Sequence, residues 1–231
     1  MLVRLNKYIG DSGLAPRRKI EELIKTGQIK VNGKVAEPGM KVDAIIDTVT
    51  FNNALIKPLN NLIYIALNKP GNVLSSASDP HGRTTVLDIV KSKERLYPVG
   101  RLDYNSTGLI LLTNDGDLTL KLIHPRYHFP KTYFVETKEN ITNKQMDILR
   151  TGTDIDNQKT LPATVTVTGK KAFNIILHQG LKRQIRLMCK NVGLTVETLH
   201  RTSIGPINIG NLRPGEYRKL NPMEIEKLKS L

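Results

Sequence analysis

Hydrophobic positions in the first sixty residues follow short helical and short extended patterns. After a first helical stripe, a second helix is predicted from Arg17 to about Thr26, with Pro16 suited to its first turn. Alternation of apolar residues over 29–31, followed by Asn32-Gly33, is a strong signal for a β-hairpin. The stripes that define the two helices are Leu2, Leu5 and Ile9 in the first, and Ile20, Leu23 and Ile24 in the second.

A polar, proline-containing stretch at residues 57–61 separates this part from a longer one. In the longer part, strand-like and helix-like segments alternate without the regular rhythm of a doubly wound parallel sheet. The strand-like segments are 64–68, 108–115, 131–137, 163–169 and 173–180. The helix-like segments are 85–90, 117–123, 142–149, 182–192 and a last helix capped at Asn221. We therefore predict the α+β class with a mainly antiparallel mixed sheet, and two domains, 1–60 and 61–231.

The composition is that of a globular protein without membrane segments. The chain has 231 residues, 39% of them hydrophobic, and a mean hydropathy of −0.28, which is enough apolar material for a core. No apolar run reaches the ~18 residues of a membrane helix. The first residues lack the features of a secretory signal, so we expect a cytoplasmic protein. The single cysteine, Cys189, excludes an intramolecular disulfide and a cysteine-based zinc cluster.

The net charge changes this picture most. Lys and Arg number 35 against 21 Asp and Glu, which gives +14 and favours a polyanionic partner such as nucleic acid. The cationic side chains of the N-terminal unit suit binding to an RNA backbone through charge and shape. The alternative is a solvated polar face on a helical hairpin. The cationic residues concerned are Arg4, Lys7, Arg17, Arg18, Lys19 and Lys30.

Three patterns resemble metal or catalytic sites without completing them. The loop that begins at Asp103 lacks the glutamate that a calcium loop has at its twelfth position. His124 and His128 are interrupted by prolines and have no third ligand nearby, so a solvated or RNA-facing pair is favoured over a metal site. The spacing of Asp115 and Asp117 favours a helix-capping role over the pair of carboxylates of a nuclease. We expect no metal site, and the absence of GxGxxG and GxxxxGK[ST] motifs indicates no nucleotide cofactor.

Asp103 is the strongest candidate for chemistry. It follows Gly100-Arg101-Leu102 at a strand end and precedes a polar turn and a buried strand, so two rigid elements can present it accurately. An aspartate has a reference pKa of about 3.9 and needs no activating base to act as a nucleophile. A neighbouring guanidinium would favour its charged form, and Arg101, Arg183 and Arg186 are candidates. The alternative is a turn carboxylate bound to its own backbone.

Five segments together resemble bacterial rRNA pseudouridine synthases of the RsuA type, the group that also contains RluB, RluE and RluF. The segment VGRLDYNSTGLILLTNDG is similar to the family's catalytic-aspartate signature. The N-terminal RLNKYIGDSGLAPRRKIEELIKTGQIKVNGKVA is similar to the RNA-binding module shared with ribosomal small-subunit protein four. The remaining three are LIYIALNKPGNVLSS, FPKTYFVET and LHQGLKRQIRLMCKNVG, in the family's order. The resemblance spans almost the whole chain.

The resemblance implies isomerisation of uridine to pseudouridine in rRNA, with no metal or organic cofactor. It makes Asp103 the essential carboxylate, which either attacks the anomeric carbon or removes a ribose proton. It makes Tyr133 the active-site tyrosine, Arg186 the partner of the aspartate and Arg101 a residue that helps to open the base stack. Lys182 and Arg183 are further candidates for RNA binding. The expected partner is rRNA or a pre-ribosomal particle, and we expect a monomer.

The target and the alternatives to catalysis stay open at this stage. The segment DPHGRTTVLDIV is closer to the RluB kind and favours large-subunit rRNA, while a small-subunit target is the alternative. A non-catalytic RNA-binding or ribosome-assembly factor on the same scaffold would require an altered catalytic constellation, whereas Asp103, Tyr133 and Arg186 are all present. An N-glycosidase commonly needs a second carboxylate and a nuclease a metal cluster, and neither is visible in the sequence.

Overall fold

The structure, a computed structural model, describes residues 2–59 and 61–230. The chain forms two units. The first takes in the N-terminal residues up to Leu62 with the short segments Lys93–Arg95 and Asn114–Gly116, and the second takes in the rest. The predicted boundary between residues 60 and 61 falls on Asn60, which lies outside the described residues, and stays a prediction.

The described residues of the N-terminal unit form two short helices and two small antiparallel sheets. Its elements are β1 (Leu2–Arg4), α1 (Leu5–Asp11), α2 (Arg17–Lys25), β2 (Ile29–Val31), β3 (Lys34–Val35), β4 (Lys41–Asp43), β5 (Val49–Phe51) and β6 (Ala54–Ile56). The predicted second helix is confirmed, and its apolar stripe is buried in the core of this unit. The predicted hairpin is also confirmed, since Asn32 and Gly33 have φ of 51° and 80°, as a tight turn between β2 and β3 requires.

The prediction of the first helix was wrong at its start. Leu2 lies in β1, which pairs antiparallel with β4, and 67% of its surface is exposed. The helix begins only at Leu5, whose side chain is buried. Pairing with a strand some forty residues further along the chain outweighs a stripe of three positions, because these span only about two helical turns, too few for a helix that is stable by itself.

The second unit is an α+β assembly around one mixed sheet. Its strands are β7 (Tyr64–Lys69), β8 (Tyr97–Val99), β9 (Thr107–Thr113), β10 (Lys131–Thr137), β11 (Asp154–Ile155), β12 (Gln158–Lys159), β13 (Thr164–Gly169), β14 (Ala172–Leu177), β15 (Val196–Ile204), β16 (Ile207–Asn208) and β17 (Tyr217–Lys219). Its helices are α3 (Val86–Ile89), α4 (Gly116–Ile123), α5 (Asn143–Thr151), α6 (Gln184–Asn191) and α7 (Pro222–Lys229). The predicted class is confirmed.

In the described residues the main sheet has the strand order β13-β14-β10-β15-β9-β7-β17, with β8 paired to β9 and β16 to β15. These pairs are antiparallel except the contact of β9 with β15, which is parallel. The predicted buried strand is β9, and it is covered on both faces. Leu109 and Leu111 pack into the cluster with α4 and α7, whereas Ile110 and Leu112 pack into the cluster with α3.

Helix α6 begins two residues later than the sequence pattern predicts. Arg183 has φ of 54°, a left-handed conformation that a helix does not tolerate, and Gln184 is the first helical residue. The predicted inward positions Ile185 and Met188 are buried, and Val192 packs partly buried just beyond the helix end. The late start places the Arg183 side chain in the loop ahead of the helix.

Candidate active site

Asp103 lies in the loop between β8 and β9, which backbone and side-chain contacts hold at both ends. The Ser75 hydroxyl donates to the Leu102 carbonyl (2.9 Å) and accepts from the Leu102 N–H (3.0 Å). On the other side, the Ser106 N–H donates to the Asp103 carbonyl at 3.0 Å, which closes a tight turn. The loop backbone is thereby fixed while 39% of the Asp103 side chain stays exposed. This is the accurate presentation that the sequence pattern predicts.

Arg186, on α6, is the cation next to Asp103. Its Nε lies 4.0 Å from Asp103 Oδ2, and only 19% of its side chain is exposed. One terminal nitrogen donates to the Val196 carbonyl at 3.2 Å, and the other lies 3.5 Å from the Ser106 hydroxyl. The guanidinium is therefore positioned by groups other than the aspartate. At 4.0 Å the pair interacts as charges rather than through a hydrogen bond.

Tyr133 comes from β10 and lies beside a buried arginine on the neighbouring strand. Its register partner on β15 is Arg201, next to a bulge between Thr132 and Tyr133. The Arg201 guanidinium carbon lies 5.9 Å from the Tyr133 ring centroid, within the range of a cation–π contact. Arg201 is 2% exposed, and its Nε donates to the Leu109 carbonyl at 2.6 Å.

Gly108 brings β9 and β15 together at this point. It is the parallel register partner of Arg201 and has φ of 106°. A β-carbon at this position would lie 2.3 Å from the Arg201 carbonyl oxygen and 2.5 Å from the Arg201 nitrogen. Only glycine permits this approach and this φ. The glycine therefore fixes Arg201 relative to the loop that carries Asp103.

A second buried cation lies beneath the same loop. The ammonium of Lys69, at the end of β7, donates to the carbonyls of Pro70 (2.9 Å), Val73 (2.8 Å) and Tyr104 (3.3 Å). Burial, together with the charge of Arg201, lowers the pKa of Lys69 to about 8, and the charge of Asp103 acts in the opposite direction. Lys69 thus ties the Asp103 loop to the turn after β7.

A cavity of about 90 Å³ opens at this site. Asp103 and Tyr133 both line it, and its other walls combine apolar side chains with cationic and amide groups. The apolar lining consists of Leu102, Leu177, Leu181, Ile185 and Leu199. Such walls suit a ligand with a flat, weakly polar ring. Asp103 and the arginines at the rim would face a more polar part of the same ligand.

The predicted site residues separate into two groups. Arg101 and Arg183 line the cavity with Asp103, and Lys182 lies exposed in the loop beside Arg183. The N-terminal unit holds the other group: Arg4, Arg17 and Arg18 are exposed, Lys7 pairs with Asp11 (3.3 Å), Lys19 with Glu22 (2.9 Å), and Lys30 donates to Asn53 (3.4 Å).

Sequence reasoning missed Lys69, Gly108 and Arg201 as parts of the site. Lys69 stands at a strand end before Pro70-Gly71, and a lysine that ends a mostly apolar strand is a signal that could have singled it out. Gly108 and Arg201 carry no comparable local signal, because their importance depends on the pairing of β9 with β15.

Of the other patterns that the sequence offered as candidate sites, one has a structural role. The His124 ring accepts from the Arg126 N–H at 3.3 Å and so caps a 3₁₀ turn. Among the residues that the structure describes, no group of three or more His, Cys, Asp or Glu side chains could hold a metal ion. In the same residues, no helix is long and apolar enough to span a membrane.

The fold and site define a class: an α+β protein with a mixed sheet, an aspartate beside a partly buried arginine at a small cavity, and a small basic helical module at the N-terminal end. Residues 63–191 match the family model of RNA pseudouridylate synthases, and residues 3–44 match that of the S4 domain. The chain belongs to the RNA pseudouridylate synthase family and carries an S4 domain at its N-terminal end. The resemblance found in the sequence is thereby confirmed at the level of the family.

Relatives match along almost the whole chain. Ribosomal large subunit pseudouridine synthase B of Bacillus subtilis (strain 168) is 40% identical over 99% of this chain and 96% of its own length. Dual-specificity RNA pseudouridine synthase RluF of Escherichia coli (strain K12) is 38% identical over 96% of this chain and 77% of its own. Among solved structures, a pseudouridylate synthase superposes with a TM-score of 0.73 at 28% identity, covering 98% of this chain and 99% of the other.

Proposed function

We propose that this protein converts uridine to pseudouridine in rRNA of the large ribosomal subunit, with Asp103 as its catalytic carboxylate. The observation that carries the proposal is the meeting of Asp103 and Tyr133 in one cavity, with Arg186 4.0 Å from the carboxylate. These three residues come from a loop, a strand and a helix far apart in the sequence. Membership of the RNA pseudouridylate synthase family supports the reaction type.

The reaction requires that the target uridine leave the base stack. A stacked uridine hides its glycosidic bond, and extrusion costs a few kcal/mol that contacts with the enzyme must offset. The exposed guanidiniums of Arg101 and Arg183 at the cavity rim suit the ribose-phosphate chain and the gap left in the stack. Lys182, in the same loop as Arg183, extends this cationic rim.

The Asp103 carboxylate acts next. The reaction detaches uracil from C1′ of the ribose, turns the ring and rejoins it through C5, and the C5 proton is then lost. Asp103 begins this sequence either by attacking C1′, with a bond that breaks again when C5 joins C1′, or by removing a ribose proton that it later returns. In both routes N1 of the uracil takes up a proton as C5 loses one. In both routes the charge of Arg186 stabilises the carboxylate without occupying its lone pairs.

Tyr133 holds the base during this sequence. The ring lines the cavity and is partly buried where the apolar cluster of α5 and α6 meets the cluster of α3. Stacking of uracil on it would retain the detached ring, and its hydroxyl would assist removal of the C5 proton. The apolar lining excludes water that would otherwise compete for the reactive ribose carbon.

The N-terminal unit would supply affinity rather than chemistry. Its exposed cations suit the phosphates of rRNA or of an assembling ribosomal particle. A large-subunit target is supported by the name of the Bacillus relative, whereas the Escherichia relative is named for dual specificity. We further propose that the protein acts on this substrate in the cytoplasm as a monomer.

The test is to map pseudouridines in rRNA from cells with and without the gene, and to assay purified protein on unmodified large- and small-subunit rRNA transcripts. We expect Asp103→Asn to abolish product while RNA affinity stays within about threefold, because the change removes a charge but keeps the shape. The matched control is Asp156→Asn, an exposed turn carboxylate between β11 and β12, which should keep full activity. Turnover by Asp103→Asn near the parent level would overturn the assignment.

A further inference from the structure

An exposed group of aromatic and cationic side chains lies on the segment between α4 and β10. We propose that this group, formed by His124, Arg126 and Tyr127 and here called the stacking platform, binds an unpaired nucleobase of the RNA beside the target uridine. The proposal rests on the proposed function, since it assigns a contact to the same RNA substrate. It adds a contact surface outside the catalytic cavity.

The planar groups of the platform are ordered by one another. The Arg126 guanidinium carbon lies 4.5 Å from the centroid of the Tyr127 ring, and its terminal nitrogen hydrogen-bonds to the Tyr127 hydroxyl. The His124 ring packs edge-on to Tyr127, with centroids 6.2 Å apart and planes at 74°. Although they contact each other, His124 and Arg126 are exposed, and Tyr127 keeps 40% of its surface exposed.

The backbone beneath these side chains is held firmly. Pro125 opens a 3₁₀ turn, and His128 ends it in the left-handed conformation. Behind the turn, the Lys131 ammonium donates to the carbonyls of Leu122 (3.4 Å) and Phe129 (2.9 Å), on either side of the segment. Binding therefore requires little further ordering of the protein, which favours affinity.

A buried aromatic residue anchors the far end of the segment. Phe129 is 5% exposed, and it lies so close to Gly205 that a β-carbon there would be 2.4 Å from its ring. The Gly205 N–H also donates to the Pro130 carbonyl at 2.9 Å. The platform is therefore a fixed projection of the catalytic sheet.

The residues that flank the platform in sequence contact immediate neighbours of the cavity lining. The His178 ring hydrogen-bonds to the His128 carbonyl at 3.0 Å, and the neighbours of His178 on both sides, Leu177 and Gln179, line the cavity. At the other end, a β-carbon on Gly100, next to the cavity-lining Arg101, would lie 3.5 Å from Ile123. An RNA strand that inserts a uridine into the cavity passes this surface.

Extrusion of a uridine creates the ligand that the platform suits. The bases on either side of the extruded nucleotide lose a stacking partner, and exposed aromatic and guanidinium faces replace such partners whatever the base. The positive charge of Arg126 additionally favours a nucleic acid over an apolar protein surface. These two properties, with the continuity to the cavity, point to RNA as the occupant.

The experiment compares Tyr127→Ala, Tyr127→Phe and Arg126→Ala with the parent protein on an unmodified large-subunit rRNA transcript. We expect Tyr127→Ala to raise KM about tenfold with kcat within about twofold, and Tyr127→Phe to stay within about threefold in KM, because the stacking face remains. Arg126→Ala should raise KM in the same direction. The matched control is Tyr217→Ala, on the edge strand β17, where the tyrosine is 42% exposed, close to the 40% of Tyr127.

A KM for Tyr127→Ala within about twofold of the parent value would overturn the platform. A Tyr127→Phe variant as impaired as Tyr127→Ala would also overturn it, because it would indicate a hydroxyl contact. An effect confined to ribosomal particles would overturn it too, because it would indicate a protein partner. The same substitutions made in Asp103→Asn are compared by Kd for the transcript. If the parent makes no pseudouridine in rRNA, the proposed function fails, and these Kd values still decide whether the platform binds RNA.

Discussion

Replacing Gly108 with alanine tests whether the contact of β9 with β15 organises the catalytic site. The added β-carbon would lie 2.3 Å from the Arg201 carbonyl oxygen and 2.5 Å from its nitrogen, and both are backbone atoms that no rotamer change can move aside. The φ of 106° is also unfavourable for alanine. Relieving the overlap therefore requires the two strands to separate.

The expected cost combines two contributions. Overpacking in a closely packed interior costs about 1–3 kcal/mol, and a non-glycine residue at such a φ costs about 1–2 kcal/mol. We therefore expect Gly108→Ala to lower the free energy of unfolding by roughly 2–5 kcal/mol. Activity should fall further than the folded fraction, because Arg201 would shift relative to the Asp103 loop and to Tyr133.

Urea unfolding followed by circular dichroism measures the first effect, and turnover by the folded protein measures the second. The matched control is Gly193→Ala, since Gly193 has φ of 76° but open space around its β-carbon position. The control carries only the conformational cost, about 1–2 kcal/mol. If the two variants lose equal stability and both keep full turnover, the argument from close approach is refuted.

Two further predictions concern charge. Burial lowers the pKa of Lys69 and of Lys131 to about 8, so the unfolded chain holds more protons than the folded one above that pH, and the free energy of unfolding should rise by about 2 kcal/mol in total between pH 8 and 9. Urea midpoints across this pH range measure the rise. Lys69→Met should halve the slope of the free energy of unfolding against pH, and an unchanged slope would contradict the prediction. The window ends near pH 9, because burial raises the pKa of Cys189 to about 12 and its thiol then opposes the trend. On the N-terminal unit, Arg18→Ala should reduce the slope of log Kd against log salt for rRNA by about one. Lys19→Ala, whose ammonium already pairs with Glu22 at 2.9 Å, should reduce it less, and equal slopes for the two variants would contradict a phosphate contact at Arg18.

Local patterns predicted most of the helices and strands. The capping groups of α5 and α7, Thr142 and Asn221, both receive the expected backbone hydrogen bond, because a cap depends on residues within one turn. The strand over 131–137 has the predicted bounds. The hairpin at Asn32-Gly33 forms because its turn conformation is set by those two residues.

The elements that the sequence did not predict depend on distant partners. Strand β15 was missed because its buried positions include Arg201 and Ser203 as well as Leu199, so the inward face does not look apolar. The buried arginine is held there mainly by its Nε, which donates to the Leu109 carbonyl at 2.6 Å, while one terminal nitrogen lies 3.5 Å from the Arg101 carbonyl and the other has no hydrogen-bond partner among the described residues. That pairing exists only once β9 and β15 are adjacent, and no local pattern encodes it.

Two arginine–aspartate pairs in this chain differ in the way that their roles require. Arg83 holds Asp79 through two short contacts, 2.7 Å and 3.1 Å, and this guanidinium lowers the pKa of the Asp79 carboxyl. Such a carboxylate has its lone pairs occupied and serves to fix a loop. Arg186 instead lies 4.0 Å from Asp103 and donates its hydrogen bond to the Val196 carbonyl, so both carboxylate oxygens of Asp103 remain available to a ribose. A shift of Arg186 to short bidentate contact would therefore strengthen the ion pair and weaken the proposed nucleophile or base, and the support that Val196 and Ser106 give to Arg186 is what keeps the two groups apart.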